Sequence, residues 1–393
     1  MLYWNLLLGV PLGLLVSLPA ALLTVELLLG ILPVQDRPRN NLQRQPCAIL
    51  IPAHNEAAII ENTLASLLEQ VQLQDQVVVI ADNCTDDTAE CCRQFPVTVL
   101  ERHSEEKRGK GYALDYGLQT IKVSTAQPAT IVVLDADCQL MPGSLDQLVS
   151  RSQQSNTVIQ AQYVMRTPEG ANVSKKVSEF AWLVKNVVRP LGLARLNVGC
   201  NLHGTGMAFP LAIFEQISFA SDHIVEDLEM GIQIIQAGWR TAFDPQAQVV
   251  SYFPDSEAAK DTQRTRWEHG HLDIALRLLP SVLLKSLLGL NLRNFIQGLD
   301  AMIPPTVMFT LFVFAATLAS SLLLLWGMTL PFFLTAPALV GLVLGLGFSW
   351  LVRGREVLPP RDLVGILSFL AQKSKIYRSF FGNRQKEWVR TER

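Results

Sequence analysis

Apolar and polar positions divide the chain into three regimes. From Leu6 to Val25 there is no charged residue, a run long enough to cross a bilayer as a helix. From about Pro46 the runs shorten. Cys47–Ile51, Gln76–Ala81, Val97–Leu100 and Ile131–Leu134 read as buried strands. Helical patterns follow the first of them through about Glu69, begin at Thr85 or Asp86 after the second, and extend to Gln119 after the third. Strands alternating with helices predict an α/β fold with a mostly parallel sheet. Beyond about Met165 the alternation loosens. Helices are expected over 175–189 and from Glu226-Asp227 onward, the latter with Leu228, Ile232, Ile235 and Trp239 apolar. From Ala301 to Trp350 charge disappears again, and Pro331 splits this run into two spans, Ile303–Leu325 and Phe332–Trp350.

Two further stretches suit a membrane interface. Leu276–Leu290 is apolar on most faces, has only Arg277 and Lys285 as charges, is broken by Pro280 and is too short to span; Asp362–Phe381 is amphipathic. Small residues at Gly9 and Gly13, and at Gly341, Gly345 and Gly347, offer close packing faces. The expected organisation is an N-terminal anchor (1–35), a cytoplasmic α/β domain (46–275), an interfacial region (276–298), two transmembrane helices (299–351) and a basic tail (352–393). The first run has no basic stretch before it and exceeds a signal-peptide core, so it reads as an uncleaved anchor.

Charge sets the orientation. Arg37, Arg39 and Arg44 follow the first span, and from Leu351 ten Lys/Arg face four Asp/Glu, an excess of six. Both mark the cytoplasmic side of a cell (inner) membrane. A net charge of −2 gives no reason to expect a nucleic acid polymer as partner. The six cysteines form no C-x-x-C pair, which disfavours a structural zinc site, and they read as free thiols of a reducing compartment.

The candidate chemistry sits where strands end. Ile131–Leu134 runs into Asp135-Ala136-Asp137, and ligands of open α/β sheets bind at the carboxyl ends of strands. Two carboxylates there suit a hard divalent cation, which in turn holds phosphate oxygens. His54 and Glu56 follow the first strand, and Asp82 ends the second, so three strands deliver polar groups to one edge. Gly109-Lys110-Gly111 lacks the spacing of an ATP-binding loop, and His269 and His271 lack the spacing of a zinc-protease helix; the histidines are expected at a polar surface or an acceptor site.

In their order, these segments resemble the membrane-bound family 2 glycosyltransferases, which include cellulose and hyaluronan synthases and ceramide glucosyltransferases. The resemblance is carried by Pro52-Ala53-His54-Asn55-Glu56, Asp82 with Thr85-Asp86, Gly109-Lys110-Gly111, Asp135-Ala136-Asp137, Glu226-Asp227 and, most tellingly, Gln263-Arg264-Thr265-Arg266-Trp267, the family's Q-x-x-R-W. It covers roughly 46–271. It implies a nucleotide-sugar-binding domain of the GT-A type and an inverting transfer. It assigns a divalent cation, Mg²⁺ or Mn²⁺, to Asp137 with Asp135 adjacent. Asp227 matches the catalytic base, with Glu226 as runner-up. Asp82 matches the acid that meets the nucleotide base, although Ala81 stands where relatives carry a further acid. Glu56, Lys110, Arg266 and, by proximity, Arg264 line the nucleotide-sugar side; Gln263 and Trp267 line the acceptor side.

The function expected is therefore transfer of a sugar from a nucleoside-diphosphate sugar, a UDP-sugar by the resemblance, to a membrane lipid or lipid-linked glycan. A processive polysaccharide synthase is the alternative. An inactive membrane scaffold fits the intact acidic motifs poorly. A transporter fits poorly too, because the C-terminal spans carry no charge.

Overall fold

The computed structural model describes residues 2–34, 44–124, 127–168, 170–223, 225–253, 257–366 and 369, and for 257–264 only the course of the helix. The chain forms two compact units. Of the described residues, those within Val34–Arg166 and Gly199–Gly270 form the α/β unit; those within Met1–Pro33, within Thr167–Val198 and from His271 onward form the helical unit. The sequence pattern places 167–198 inside the 46–275 domain, whereas in the fold this helical stretch groups with the apolar helices.

The α/β unit is built on one eight-stranded sheet: β1 Cys47–Ala53, β2 Gln76–Asp82, β3 Thr98–Arg102, β4 Thr130–Val133, β5 Gln139–Leu140, β6 Val158–Arg166, β7 Met207–Pro210 and β8 Thr241–Tyr252. The spatial order is β3-β2-β1-β4-β7-β6-β8-β5. β3, β2, β1 and β4 are mutually parallel, as the alternation predicts, and β7 then enters antiparallel between β4 and β6. Since β2 lies on one side of β1 and β4 on the other, the chain direction reverses around β1. That reversal opens a crevice beyond the strand ends where ligands of such sheets bind. Along the strands the side chains alternate: Leu50, Ile80, Ile131 and Val133 face Leu114, Leu118 and Ile121 of the helix Lys110–Lys122 in one buried cluster.

β6 and β8 escape the sequence reading. They pair parallel with a register shift at Ala161/Gln162, where Pro245 of β8 interrupts the ladder. Both bury polar residues, Gln160, Asp244 and Ser251, which breaks the apolar alternation that a strand is expected to show.

Arg44 turns out to be a clamp at the foot of the sheet. Its guanidinium meets Asp75 through two hydrogen bonds of 2.8 and 2.6 Å and Asp146 through one of 2.6 Å, and its side chain and that of Asp75 are fully buried. Its charge is thus spent inside the unit, leaving Arg37 and Arg39, outside the described residues, as the basic flank. Burial alone raises the Asp75 pKa, but the Arg44 hydrogen bonds and the backbone N–H groups of Cys47 and Gln72 lower it on balance. A carboxylate whose folded pKa is depressed stabilises the fold above its unfolded pKa and loses that contribution as pH falls through the folded value. Asp75→Asn leaves the buried guanidinium with Asp146 as its remaining carboxylate partner and is expected to destabilise the unit by at most roughly 3–5 kcal/mol. Denaturant unfolding of the purified protein measures this, and the variant should show a shallower loss of stability on acidification. An unchanged midpoint would remove the clamp from the account.

Among the described residues of the helical unit three helices are long and apolar enough to cross a membrane: Tyr3–Gly30, Thr306–Trp326 and Leu330–Gly354. The first and third extend past the predicted ends at both sides, whereas the second starts at Thr306, inside its predicted start at Ile303, and ends one residue beyond Leu325. The first carries a π-turn, Gly13–Ser17, just after Pro11, which removes a backbone donor. Gly9 and Gly13 pack on Leu330 and Leu334, and Gly341 and Gly345 on Thr24 and Leu27, as the small-residue spacing suggests. Gly347 does not join that face, having no heavy atom within contact range of a Cβ. Leu23, Leu27, Val313 and Leu342 are fully buried in one apolar cluster between the helices.

Glu26, the one acid of the first run, is buried and paired with Arg189 at 3.2 Å; Arg189 also holds the Asp300 carboxylate. Pairing of this kind is what an ionisable group in an apolar helix requires. The expected interfacial stretch becomes two helices, Leu279–Leu288 and Leu292–Met302, and Pro280 starts the first rather than breaking it. Leu284, Leu287, Leu288, Leu290 and Leu292 are exposed along them. The amphipathic segment 362–381 lies almost wholly outside the described residues.

Candidate active site

β1, β2 and β4 end in register, with Ala53 beside Ala81 and Leu50 beside Val133, so the loops after them share one edge. After β4 the chain turns tightly, Cys138 N–H donating to Asp135 O at 3.1 Å. Two outside groups fix this turn. Thr63 Oγ1 donates to Ala136 O at 2.7 Å, and Asp135 N–H donates to Thr205 Oγ1 at 3.0 Å. The ligand atoms of Asp135, Asp137 and Cys138 lie within 4.8 Å of one another. Burial, reinforced by Asp137, pushes the Cys138 thiol well above its usual range, so it stays protonated. Two carboxylates remain, the donor set a hard cation prefers.

Lys110, first residue of its helix, reaches into the same space. Its ammonium lies 2.6 Å from Asp135 Oδ1 and 3.7 Å from Glu226 Oε1, and donates to Gly204 O at 2.9 Å. Burial pulls its pKa down, but the charges of Asp135, Glu226 and Asp227 raise it on balance, so the charge is fixed. Glu226 and Asp227 open the helix Glu226–Gln236, at the end where the helix dipole favours anions. Burial pushes the Glu226 carboxyl up to about 7; Lys110 opposes the shift and Asp227 adds to it. Asp227 Oδ1 accepts from Leu228 N–H at 2.8 Å, and its Oδ2 would lie 3.6 Å from a Cβ at Gly204. Gly204, at φ +87°, has a backbone conformation that favours glycine and borders the acid.

Asp82 is held by a residue the sequence reading missed. Arg102 Nη1 donates to Asp82 Oδ1 at 2.5 Å, its Nη2 donates to Lys107 O at 2.5 Å, and the guanidinium lies 5.9 Å from the centre of the Tyr112 ring. Arg102 is the direct ladder partner of Asp82 across β2 and β3, two residues beyond the strand end at Leu100 that the apolar pattern marks. His54 Nδ1 bonds the Asp82 carbonyl at 2.7 Å. The backbone N–H of Glu56 donates to Thr88 Oγ1 at 2.8 Å, which ties the β1 loop to the β2 loop; its side chain is half-buried.

Arg266 and Trp267 are half-buried on the helix Glu257–Arg277. Gly270, one turn after Arg266 on the same face, packs on Val225, immediately before the acid pair. This orients the Q-x-x-R-W helix toward the start of the acidic helix. Gln263 and Arg264 lie where only the helix itself is described. His269 is buried and His271 is half-buried, bonded to Ile303 O at 3.0 Å, so neither is the exposed polar group expected. The fold thus brings Lys110, Asp135, Asp137, Glu226 and Asp227 together, with Asp82 and Glu56 on the same sheet edge.

The sequence profile described as "Glycosyltransferase like family 2" matches residues 45–270, more than half of the chain. The chain belongs to glycosyltransferase family 2. It is similar to a probable glycosyltransferase, YdaM, of Bacillus subtilis (24% identity over 257 residues, 61% of this chain and 59% of that one). It is also similar to the poly-β-1,6-N-acetyl-D-glucosamine synthase of Staphylococcus epidermidis (21% over 282 residues, 67% and 66%). The matches therefore span less than two thirds of each relative's length. Among solved structures, a mannosyltransferase from Pyrobaculum calidifontis, in complex with GDP-Man and Mn²⁺, superposes with a TM-score of 0.58 at 15% identity over 97% of this chain and 100% of that one. At that identity the likeness speaks to fold. The transferase is thus a GT-A-type α/β enzyme flanked by apolar helices at both ends of the chain.

Proposed function

We propose that the protein is an inverting, cation-dependent glycosyltransferase that moves a sugar from a UDP-sugar to a lipid or lipid-linked glycan at the cytoplasmic face of the cell membrane. The observation that carries the chemistry is the convergence of Asp135, Asp137, Lys110, Glu226 and Asp227 at the strand ends beside the crevice. Asp137 and Asp135 would hold the cation, which supplies charge neutralisation for the departing diphosphate. Lys110 keeps a fixed positive charge beside the same acids. Asp227 takes the proton from the acceptor hydroxyl, whose oxygen bonds to the anomeric carbon from the face opposite the diphosphate. The bond from that carbon to the diphosphate oxygen breaks, and its electron pair leaves with the nucleoside diphosphate. Asp82, kept in place by Arg102, and Glu56 serve the nucleotide end. Arg266 adds donors on the phosphate side, and Trp267 an apolar face on the acceptor side.

Packing in the helical unit favours a lipid-attached acceptor. Among the described residues the three candidate spans meet through glycines and filled apolar contacts. Their hydroxyls bond helix carbonyls or one another, as in the 2.7 Å Ser320–Thr335 pair. Such packing favours helix association over a polar path for a sugar chain. The exposed leucines of 279–292 suit contact with lipid. Similarity to a poly-N-acetylglucosamine synthase favours the second reading, a processive synthase. The deciding measurement is product size after the purified protein, in lipid, receives labelled UDP-sugars. Organic-extractable label of low mass is expected, and glycosidase-sensitive material of high mass would select the synthase reading instead.

A further inference from the structure

We propose that Gln160, which belongs to none of the motifs above, is a positioning residue that holds loop 203–206 so that Asp135, Lys110 and the Glu226–Asp227 pair stay in one constellation. The inference rests on the transferase reading and concerns how the site is kept in register.

Gln160 lies in β6, one strand removed from β4 across β7, and is completely buried. A buried amide in the middle of a sheet needs partners, and a satisfied core amide would ordinarily end the matter. Here the partners give it direction. Gln160 Oε1 accepts from His203 N–H at 2.9 Å, and Nε2 donates to Thr205 O at 2.9 Å and to Ala161 O at 2.9 Å. One side chain thus grips the loop from both sides of Gly204.

Each residue of that loop then acts on a different part of the site. Gly204 O accepts from the Lys110 ammonium, and a Cβ at Gly204 would stand 3.6 Å from Asp227 Oδ2, so the loop borders that acid. Thr205, itself completely buried, accepts from Asp135 N–H through its hydroxyl. Gly206 closes the loop onto the sheet: its N–H donates to Val133 O at 2.9 Å and its carbonyl accepts from Ala161 N–H at 2.8 Å. At φ +62°, with Val249 2.7 Å from where a Cβ would stand, only glycine fits there. Cation-side acids, ammonium and base-side acids come from three separate segments of the chain. Loop 203–206 touches all three, and Gln160 is its side-chain anchor from inside the sheet.

Reactions of this kind depend on sub-ångström placement, and small displacements far from the chemistry carry large rate penalties. Gln160→Leu keeps the approximate volume, removes the grip and leaves Thr205 O buried without its donor. Gln160→Glu is the discriminating variant. It has the same shape, and burial beside two carbonyl oxygens favours its protonated form, which donates to Thr205 O and accepts from His203 N–H as the amide does. When ionised it opposes those carbonyls.

The test uses the full-length protein in lipid nanodiscs and three readouts: steady-state transfer from the preferred UDP-sugar, calorimetric binding of UDP with Mn²⁺, and thermal melting. For Gln160→Leu a fall in kcat of roughly 10–10²-fold is expected, with donor KM and UDP affinity within about 3-fold of wild type. Gln160→Glu is expected to stay near wild type at low pH and to lose kcat at high pH, in a limb the wild type lacks. If Gln160→Leu retains kcat, the inference falls while the transferase reading stands. If both variants lose kcat and UDP binding together at every pH, Gln160 is merely structural and the inference falls again. A wild-type protein that neither binds UDP nor transfers sugar overturns the transferase reading itself, and the inference with it.

Discussion

Asp137→Ala is expected to lower sugar transfer by at least ~10²-fold, and excess chelator to abolish it, with activity restored by Mg²⁺ or Mn²⁺. The reason lies in the local charge balance. Asp135 already has a fixed partner in Lys110 at 2.6 Å, whereas the contacts of Asp137 include the protonated, buried thiol of Cys138 at 3.4 Å. Asp137 and Asp135 follow the same strand with their ligand atoms within 4.8 Å of one another, so a cation there would draw its charge compensation from Asp137, with Asp135 supplying a second oxygen while anchored. Removing Asp137 leaves the diphosphate to depart against uncompensated charge, whereas the Asp135 turn, fixed by Thr63 and Thr205, stays in place. The variant should accordingly melt close to wild type. Full activity in chelator, or a wild-type rate in Asp137→Ala, would remove the cation from the mechanism.

The parallel half of the sheet was legible because its strands are apolar runs bounded by turns, and no tertiary partner is needed to see that. Asp82 and Asp135-Ala136-Asp137 fell at strand ends for the same reason. β6 and β8 were not legible. Gln160 and Asp244 are buried there only because partners from distant segments satisfy them, Gln147 and Arg151 in the case of Asp244. A periodicity argument cannot supply those partners. Arg44 shows the converse: read locally, it is one more basic residue after a span, and only Asp75 and Asp146, 31 and 102 residues away, make it a clamp. The candidate site divides in the same way. The acids announced themselves by type and spacing, while Arg102 and Thr205, which hold two of them, depend on register across the sheet.

Asp227→Asn is expected to leave nucleotide binding near normal and reduce transfer on the order of 10²–10⁴-fold, the largest effect foreseen at this site. The amide keeps an oxygen for the Leu228 N–H, so the helix start survives, and only the proton acceptor is lost. Its neighbour supplies a second signature. Glu226, pushed up to about 7 by burial, ionises across the physiological range. Below that pH it is protonated and adds no negative charge to the site; above it the charge is present and helps draw the proton off the acceptor hydroxyl. The rate should therefore rise with pH through about 7, an apparent value that belongs to the coupled pair. Glu226→Gln should flatten that rise while keeping transfer measurable, because Lys110 retains Asp135 at 2.6 Å. The two variants separate the roles. If Asp227→Asn turns over normally while Glu226→Gln is inactive, Glu226 is the base and its pKa near neutrality is the reason. If Asp227→Asn is inactive and the rise with pH disappears only in Glu226→Gln, Asp227 takes the proton and Glu226 tunes how readily it does so.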